Sequence, residues 1–243
     1  MINKLSRVLD FILGYGNGSS SEFYGLKRWL KSNVNENSVL IDVGANIGDF
    51  SLFYLSCFKN VRKIYSFEPN PILFNNLLED EKRVKYNFAV GSFNAETVEL
   101  KIPIDSKWNG ISRIGDFVEE KFSDLEYEVL SVAAVSLDEF IASESIVYVD
   151  FLKIDTEGND FDVIKSASNA LKSRTIGCIY FEFGPANVAT RVFFIDIVNY
   201  LNSLNLDYDI YRFSVFGNPI RVKYSIWNEY FRGNTNYLIQ FHK

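Results

Sequence analysis

Two carboxylates that close consecutive apolar runs, Asp42 and Glu68, carry the first chemical signal in the chain. Asp42 lies near the end of the run Ser38–Val43, just ahead of the small-residue turn Gly44-Ala45-Asn46-Ile47-Gly48, and Glu68 ends the run Lys63–Phe67, 24 residues beyond Gly44. Small residues at a strand's carboxyl end let a ligand approach the backbone. The spacing Gly44-x-x-x-Gly48 is not the G-x-G-x-x-G turn that presents a pyrophosphate to a helix N-terminus, and it lacks the Lys of a phosphate-binding loop. A diphosphate or triphosphate is therefore disfavoured, and with it a nicotinamide-dependent oxidoreductase. Asp42 instead suits a ligand ammonium, such as the aminoacyl part of S-adenosylmethionine. Glu68 stands where nucleoside-binding sheets accept hydrogen bonds from ribose hydroxyls. Either acid alone is also explained as a cap of a turn or helix; the pair at consecutive strand ends favours the ligand.

A second acidic set follows later. Asp155 and Glu157 lie two apart after the run Val149–Ile154, so a strand that continued would point both the same way. Glu182, near the end of Ile176–Phe183, joins them in a carboxylate cluster at the mouth of the sheet. Group transfer to a hydroxyl rewards positioning and a nearby acceptor for the hydroxyl proton. Asp155 is the first candidate for base or substrate orienter, with Glu157 second. Glu157 is equally explained as an acid favoured at a helix N-terminus, with Lys153 as its counter-ion or as a snorkelling strand residue. Three acids also suit Mg²⁺, but no metal-specific spacing accompanies them and no metal site is expected. The single histidine, His242, lies in the tail, which leaves carboxylate, Tyr or Lys as general base. Trp108, Asn109 and Arg113 lie in a segment able to cover an acceptor, although a hairpin with a packed Trp explains them as well.

These residues need an alternating α/β scaffold. The apolar runs Ser38–Val43, Lys63–Phe67, Val84–Phe88, Val149–Ile154 and Ile176–Phe183 predict five parallel strands, with helices over Gly48–Phe58, from Leu73, Asp160–Leu171 and Val192–Leu204. Thr97–Ile104 and Val129–Val135 read as further extended segments, Trp108-Asn109-Gly110 as a turn, and Ser136 as the cap of a helix reaching Ser143. Leu206–Phe213 and Tyr237–Phe241 predict a closing antiparallel pair. Strands alternating with helices imply right-handed crossovers and a sheet covered on both faces. Residues 1–37, with Phe23, Leu26, Trp29 and Leu30 on one helical face, are expected to form an N-terminal helical cap, and residues 38–243 the main domain.

Composition bounds the function. Of 243 residues, 47% are apolar and 23% charged, enough for a core, and the net charge of −6 argues against a phosphate-dominated nucleic-acid partner. The two cysteines form no CxxC pair, so neither a zinc site nor a disulfide is expected. No apolar stretch reaches the roughly 18 residues of a membrane span, and a cytoplasmic location is expected.

The strings Ile41-Asp-Val-Gly-Ala-Asn-Ile-Gly48, Phe67-Glu-Pro-Asn70, Asn87-Phe-Ala-Val-Gly91, Val135-Ser-Leu-Asp138 and Phe151-Leu-Lys-Ile-Asp-Thr-Glu-Gly158 occur in one order over about residues 38 to 184. Together they resemble the FkbM-type methyltransferases. The resemblance implies a class I methyltransferase fold, S-adenosylmethionine as cofactor, and transfer of a methyl group to a hydroxyl of a sugar or natural product. It further implies Asp42, Gly44, Asn46 and Gly48 along the methionine part, Glu68 at the ribose and Asn87 and Ala89 at the adenine. Ala45, Pro69 and Asp155 complete the cofactor-binding set. A binding or scaffold protein that retains the pocket without turnover is the alternative.

Overall fold

Helix α1 (Ser20–Asn33) and strand β1 (Val39–Val43) set the pattern of the fold. All five residues of β1 are buried, as befits a strand covered on both faces. The computed structural model describes residues 9–15, 20–115, 122, 124–229 and 233–242. From β1 the chain alternates through α2 (Asp49–Cys57), β2 (Lys63–Phe67), α3 (Pro71–Asn76) and β3 (Arg83–Tyr86). It then builds a small second sheet from β4 (Phe88–Val90), β5 (Thr97–Pro103), β6 (Arg113–Ile114) and β7 (Tyr127–Val135). Helix α4 (Leu137–Ser143), held by a capping box between Ser136 and Glu139, returns the chain to β8 (Phe151–Ile154). Helices α5 (Asp160–Ser166) and α6 (Ser168–Lys172), strand β9 (Cys178–Phe183), helices α7 (Pro185–Ala189) and α8 (Phe194–Ser203), and strands β10 (Tyr208–Phe213), β11 (Pro219–Val222) and β12 (Thr235–Phe241) complete it.

The large sheet runs in the order β11-β10-β12-β9-β8-β1-β2-β3. Strands β3, β2, β1, β8 and β9 are parallel, while β12 lies antiparallel between β9 and β10. The expected closing pair is therefore present, and β11 adds an edge strand that its four residues, opening on Pro219, did not announce. Two expected elements are broken. The third strand does not run through Val84–Phe88: Asn87 Nδ2 donates to the carbonyls of Glu68 at 2.8 Å and Pro69 at 3.0 Å, and beyond it the chain leaves β2 to pair with β7. The helix over Asp160–Leu171 is interrupted at Ala167, whose φ of −103° is non-helical. The Trp108-Asn109-Gly110 turn lies within a 3₁₀ helix, Ser106–Ile111, capped by Asp105.

Alternation along the strands divides the core in two. Ile41, Leu152, Ile154 and Ile179 pack with Phe140, Val163, Ile164 and Leu201 on one face. Leu40, Ile64, Phe151 and Leu238 pack with Leu26, Leu30 and Tyr54 on the other. Each fully buried Leu or Ile contributes roughly 2 kcal/mol of transfer free energy. Helix α1 thus shares a core with β1, and Tyr180 of β9 donates its hydroxyl to Glu22 of α1 at 2.5 Å, a carboxyl whose pKa burial raises. Cys57 and Cys178 are buried and free. Among the described residues no helix is long and apolar enough to cross a membrane.

Candidate active site

The carboxyl ends of β1, β2 and β8 open beneath the small sheet onto a cavity with about 620 Å³ of free space, its mouth included. Its lining mixes apolar wall with a few convergent polar groups, as small-molecule sites do. The turn after β1 forms its floor. Gly44 has φ +71°, and a Cβ there would stand 1.8 Å from the carbonyl oxygen of Asp155, so only glycine fits between the tips of β1 and β8. The turn spends its amides on the protein: Gly44 and Ala45 donate to the carbonyl of Phe67 at 3.0 and 2.9 Å, Gly48 to that of Ala45 at 2.8 Å, and Asn46 to Glu68 Oε2 at 2.8 Å. A phosphate nest needs such donors aimed at the ligand; here they are committed.

Glu68 faces the same cavity from the tip of β2. Its second oxygen, Oε1, accepts from the amide of Asn70 at 2.9 Å. Burial raises its pKa from 4.5 to about 7, against the lowering effect of those two amides and of Lys153. A carboxylate offers about four acceptor positions, so two remain for ligand hydroxyls. Asn70 caps α3 through Ile72 and donates to Ser112 Oγ at 2.9 Å, tying the β2 tip to the small sheet.

Of the residues singled out in the sequence, Gly44, Asn46, Glu68, Pro69, Ala89, Asp155 and Glu157 line this cavity. Five do not, and each has a local reason. Asp42 shares its strand face with Leu40, so it points under α2, with no exposure, where Ser51 Oγ donates to its Oδ2 at 2.6 Å; direct contact with a ligand ammonium is replaced by a buried ion pair with Lys153. Ala45 contributes a backbone amide to Phe67 and is 3% exposed. Gly48 packs on Arg83, whose Nη1 lies 2.8 Å from where a Cβ would stand. Asn87 braces the β2 turn instead of flanking the cavity. Glu182 sits one strand farther over, bound by Asn234 Nδ2.

The reading of Asp155 and Glu157 as co-directional strand residues is also corrected. Strand β8 stops at Ile154, and Glu157 and Gly158 turn through left-handed conformations with φ +52° and +105°. Both acids nevertheless line the cavity, because Asp160 ties the loop down, accepting from the amides of Thr156 at 3.2 Å and Gly158 at 3.3 Å. Burial first, and Asp155 second, raise the Asp160 pKa to about 7. The Glu182 carboxyl is raised to about 9, by burial first and then by the charges of Asp155, Glu157 and Asp160. Lys153 is counter-ion to Asp42 at 3.3 Å and Asp155 at 3.7 Å, and donates to the carbonyl of Gly44 at 2.7 Å. Burial alone would lower its pKa, but the facing Asp42 and Asp155 charges raise it. Among the described residues no group of three His, Cys, Asp or Glu side chains is arranged to hold a metal ion.

The remaining walls come from residues that sequence reasoning passed over: Leu73, Leu100, Ser112 and Thr156. Leu100 and Ser112 belong to the small sheet and its approach, whose position over the site has no local signature. Of the covering segment, Asn109 and Arg113 line the cavity, with the Arg113 guanidinium 4.4 Å above the Tyr127 ring. Trp108 instead packs edge-on against Phe122 at 5.5 Å.

A parallel sheet ending in an antiparallel strand pair, with a cavity at the tips of β1 and β2, is the class I methyltransferase fold. The chain belongs to the FkbM methyltransferase family, whose methyltransferase FkbM domain matches residues 42–210. It is 25% identical over 190 residues to the hexuronic acid methyltransferase AglP of Haloferax volcanii, covering 75% of this chain and 72% of that one. The crystal structure of methyltransferase FkbM from Methylobacillus flagellatus superposes with a TM-score of 0.50 at 14% identity, over 85% of this chain. This chain spans 44% of that solved chain.

Proposed function

We propose that the chain transfers a methyl group from S-adenosylmethionine to a hydroxyl of a sugar acceptor. The observation that carries this is Glu68, a buried carboxylate with unused acceptor positions facing a cavity whose neighbouring turn offers no phosphate nest. The cavity also fits a nucleoside sulfonium in its remaining chemistry. Leu73, Ala89 and Leu100 supply apolar wall for a purine, and Thr156 Oγ1 is a buried hydroxyl oxygen without a hydrogen-bond partner in that same wall, a group that a polar ligand would satisfy. Family membership and the similarity to a hexuronic acid methyltransferase of Haloferax support the same reading.

In this reading Glu68 binds the ribose hydroxyls, Gly44 and Asn46 run along the aminoacyl part, and Ala89 packs on the base. S-adenosylmethionine, when bound, supplies an electrophilic methyl carbon on a sulfonium sulfur. Asp155 orients the acceptor hydroxyl and takes its proton as the oxygen becomes nucleophilic. Lys153 keeps that carboxylate in place from beneath. Calorimetry with S-adenosylhomocysteine tests the proposal: wild type binds, Glu68→Ala binds at least about tenfold more weakly for two lost hydrogen bonds to a charged group. Binding without methyl transfer to any hexose or hexuronate would favour a silent scaffold, and no binding would end the proposal.

A further inference from the structure

Beside the cofactor cavity lies a second, more open groove of about 1040 Å³, its mouth included, walled by Phe93, Phe161, Asp162, Thr190 and Arg191 among others. Ile114 and Asn159 line both spaces, so the groove is the next compartment along the same cleft. Asn159 is fixed between them, its Nδ2 donating to the carbonyl of Val90 at 3.1 Å. From its chemistry we infer that this groove is the acceptor subsite, and that Arg191 selects a sugar ring bearing a carboxylate.

The inference rests on the methyl-transfer reading for its reaction, and on the groove itself for its ligand. Two phenyl rings, those of Phe93 and Phe161, give apolar wall for one face of a pyranose. Arg191 is exposed, and among the described residues no carboxylate pairs with it. The acid sharing its groove, Asp162, is already neutralised by Lys165 of the same helix at 2.5 Å. Arg191 is placed by the end of α7, where its amide donates to the carbonyl of Val188 at 3.0 Å and the next amide, of Val192, to that of Asn187 at 2.8 Å. The two compartments differ in charge: Arg191 offers planar donors in the outer one, while Asp155 and Glu157 stand in the inner one beside Arg113, whose guanidinium lies over the Tyr127 ring. A guanidinium suits a carboxylate through paired hydrogen bonds, and the inner acids suit hydroxyl donors and repel a carboxylate. A ring carrying an acid at one end and hydroxyls at the other is accepted in one direction only.

The test is ligand-observed NMR titration of sodium glucuronate and of glucose into the wild-type protein, with and without S-adenosylhomocysteine. Wild type is expected to bind glucuronate more tightly than glucose. Arg191→Gln weakens glucuronate about tenfold, the worth of one charge-assisted pair, and leaves glucose and S-adenosylhomocysteine unchanged, while Arg191→Lys restores part of the preference. Phe93→Ala weakens both sugars. Equal affinity for the two sugars in wild type, no sugar binding, or an equal loss of both in Arg191→Gln overturns the subsite. Failure of S-adenosylhomocysteine to bind while the Arg191-dependent preference persists would instead strike the methyl-transfer reading and leave the groove assignment standing.

Discussion

Lys153 Nζ lies 3.3 Å from Asp42 Oδ1, beneath the turn whose Gly44 carbonyl it also binds at 2.7 Å. The Asp42 side chain has no exposure and that of Lys153 has 8%, so neither charge can turn to water when the other is removed. Removing one partner of a buried pair costs about 3–5 kcal/mol, while replacing both costs far less. Lys153→Met and Asp42→Asn are each expected to lower unfolding free energy in urea by about that amount, and the double variant to recover a large part of the summed loss. Additivity within about 0.5 kcal/mol would show that the two side chains are not coupled.

Gly44→Ala should be severely destabilising. The added carbon would meet the Asp155 carbonyl at 1.8 Å with φ at +71°, so both backbone strain and a backbone clash oppose it. A loss of about 3 kcal/mol or more is expected by urea denaturation, with S-adenosylhomocysteine binding abolished in whatever fraction folds. A variant within 1 kcal/mol of wild type would mean the β1 and β8 tips can part freely.

Much of this scaffold was legible because its strands are unambiguous. Val39–Val43 and Lys63–Phe67 are apolar runs bounded by Gly44 and by Glu68-Pro69, and β2 occupies the expected residues. The strand ends bring Glu68, Gly44 and Asp155 to the cavity wall, which a reading of strand ends could anticipate. The break at Asn87 was not legible, since Val84–Phe88 reads as one extended run and the diversion comes from hydrogen bonds to the carbonyls of Glu68 and Pro69, just past the end of β2. Asp42 was misdirected for a reason the sequence did contain: period two puts it on the face of Leu40, under α2, and not at the mouth. Lys153, two residues after Phe151, follows the same rule toward the same face, which brings it to Asp42 instead of Glu157.

Asp155 and Glu157 line one cavity but differ in their supports. Asp155 lies 3.7 Å from Lys153 Nζ at the strand tip, whereas Glu157 occupies the turn beyond it. Asp155→Asn is expected to leave S-adenosylhomocysteine affinity within about twofold and to cut the initial rate of methyl transfer by 10²- to 10⁴-fold, roughly the worth of a general base. Glu157→Gln should lose less than about tenfold on that scale. The reverse order of rates would move the proton acceptor to Glu157.

The Glu68 carboxyl makes both stability and ligand affinity depend on pH, with opposite signs. Burial lifts its pKa from 4.5 to about 7 in the folded protein, so between those values the folded state holds a proton that the unfolded chain has released. Ligand-free stability must then fall as pH rises through that window; Asp160, lifted from 3.8 to about 7, adds a slope of the same sign, and Glu182, lifted from 4.5 to about 9, carries the fall beyond pH 7. Glu68→Gln should flatten the urea midpoint between pH 5 and 7 in part, leaving the shares due to Asp160 and Glu182. Ribose hydroxyls donate to the ionised form and lower its pKa in the complex, so affinity for S-adenosylhomocysteine should rise about tenfold from pH 6 to pH 8, following the ionised fraction. A flat affinity over that range, with the stability slope present, would show that Glu68 is titrated by burial but does not touch the nucleoside.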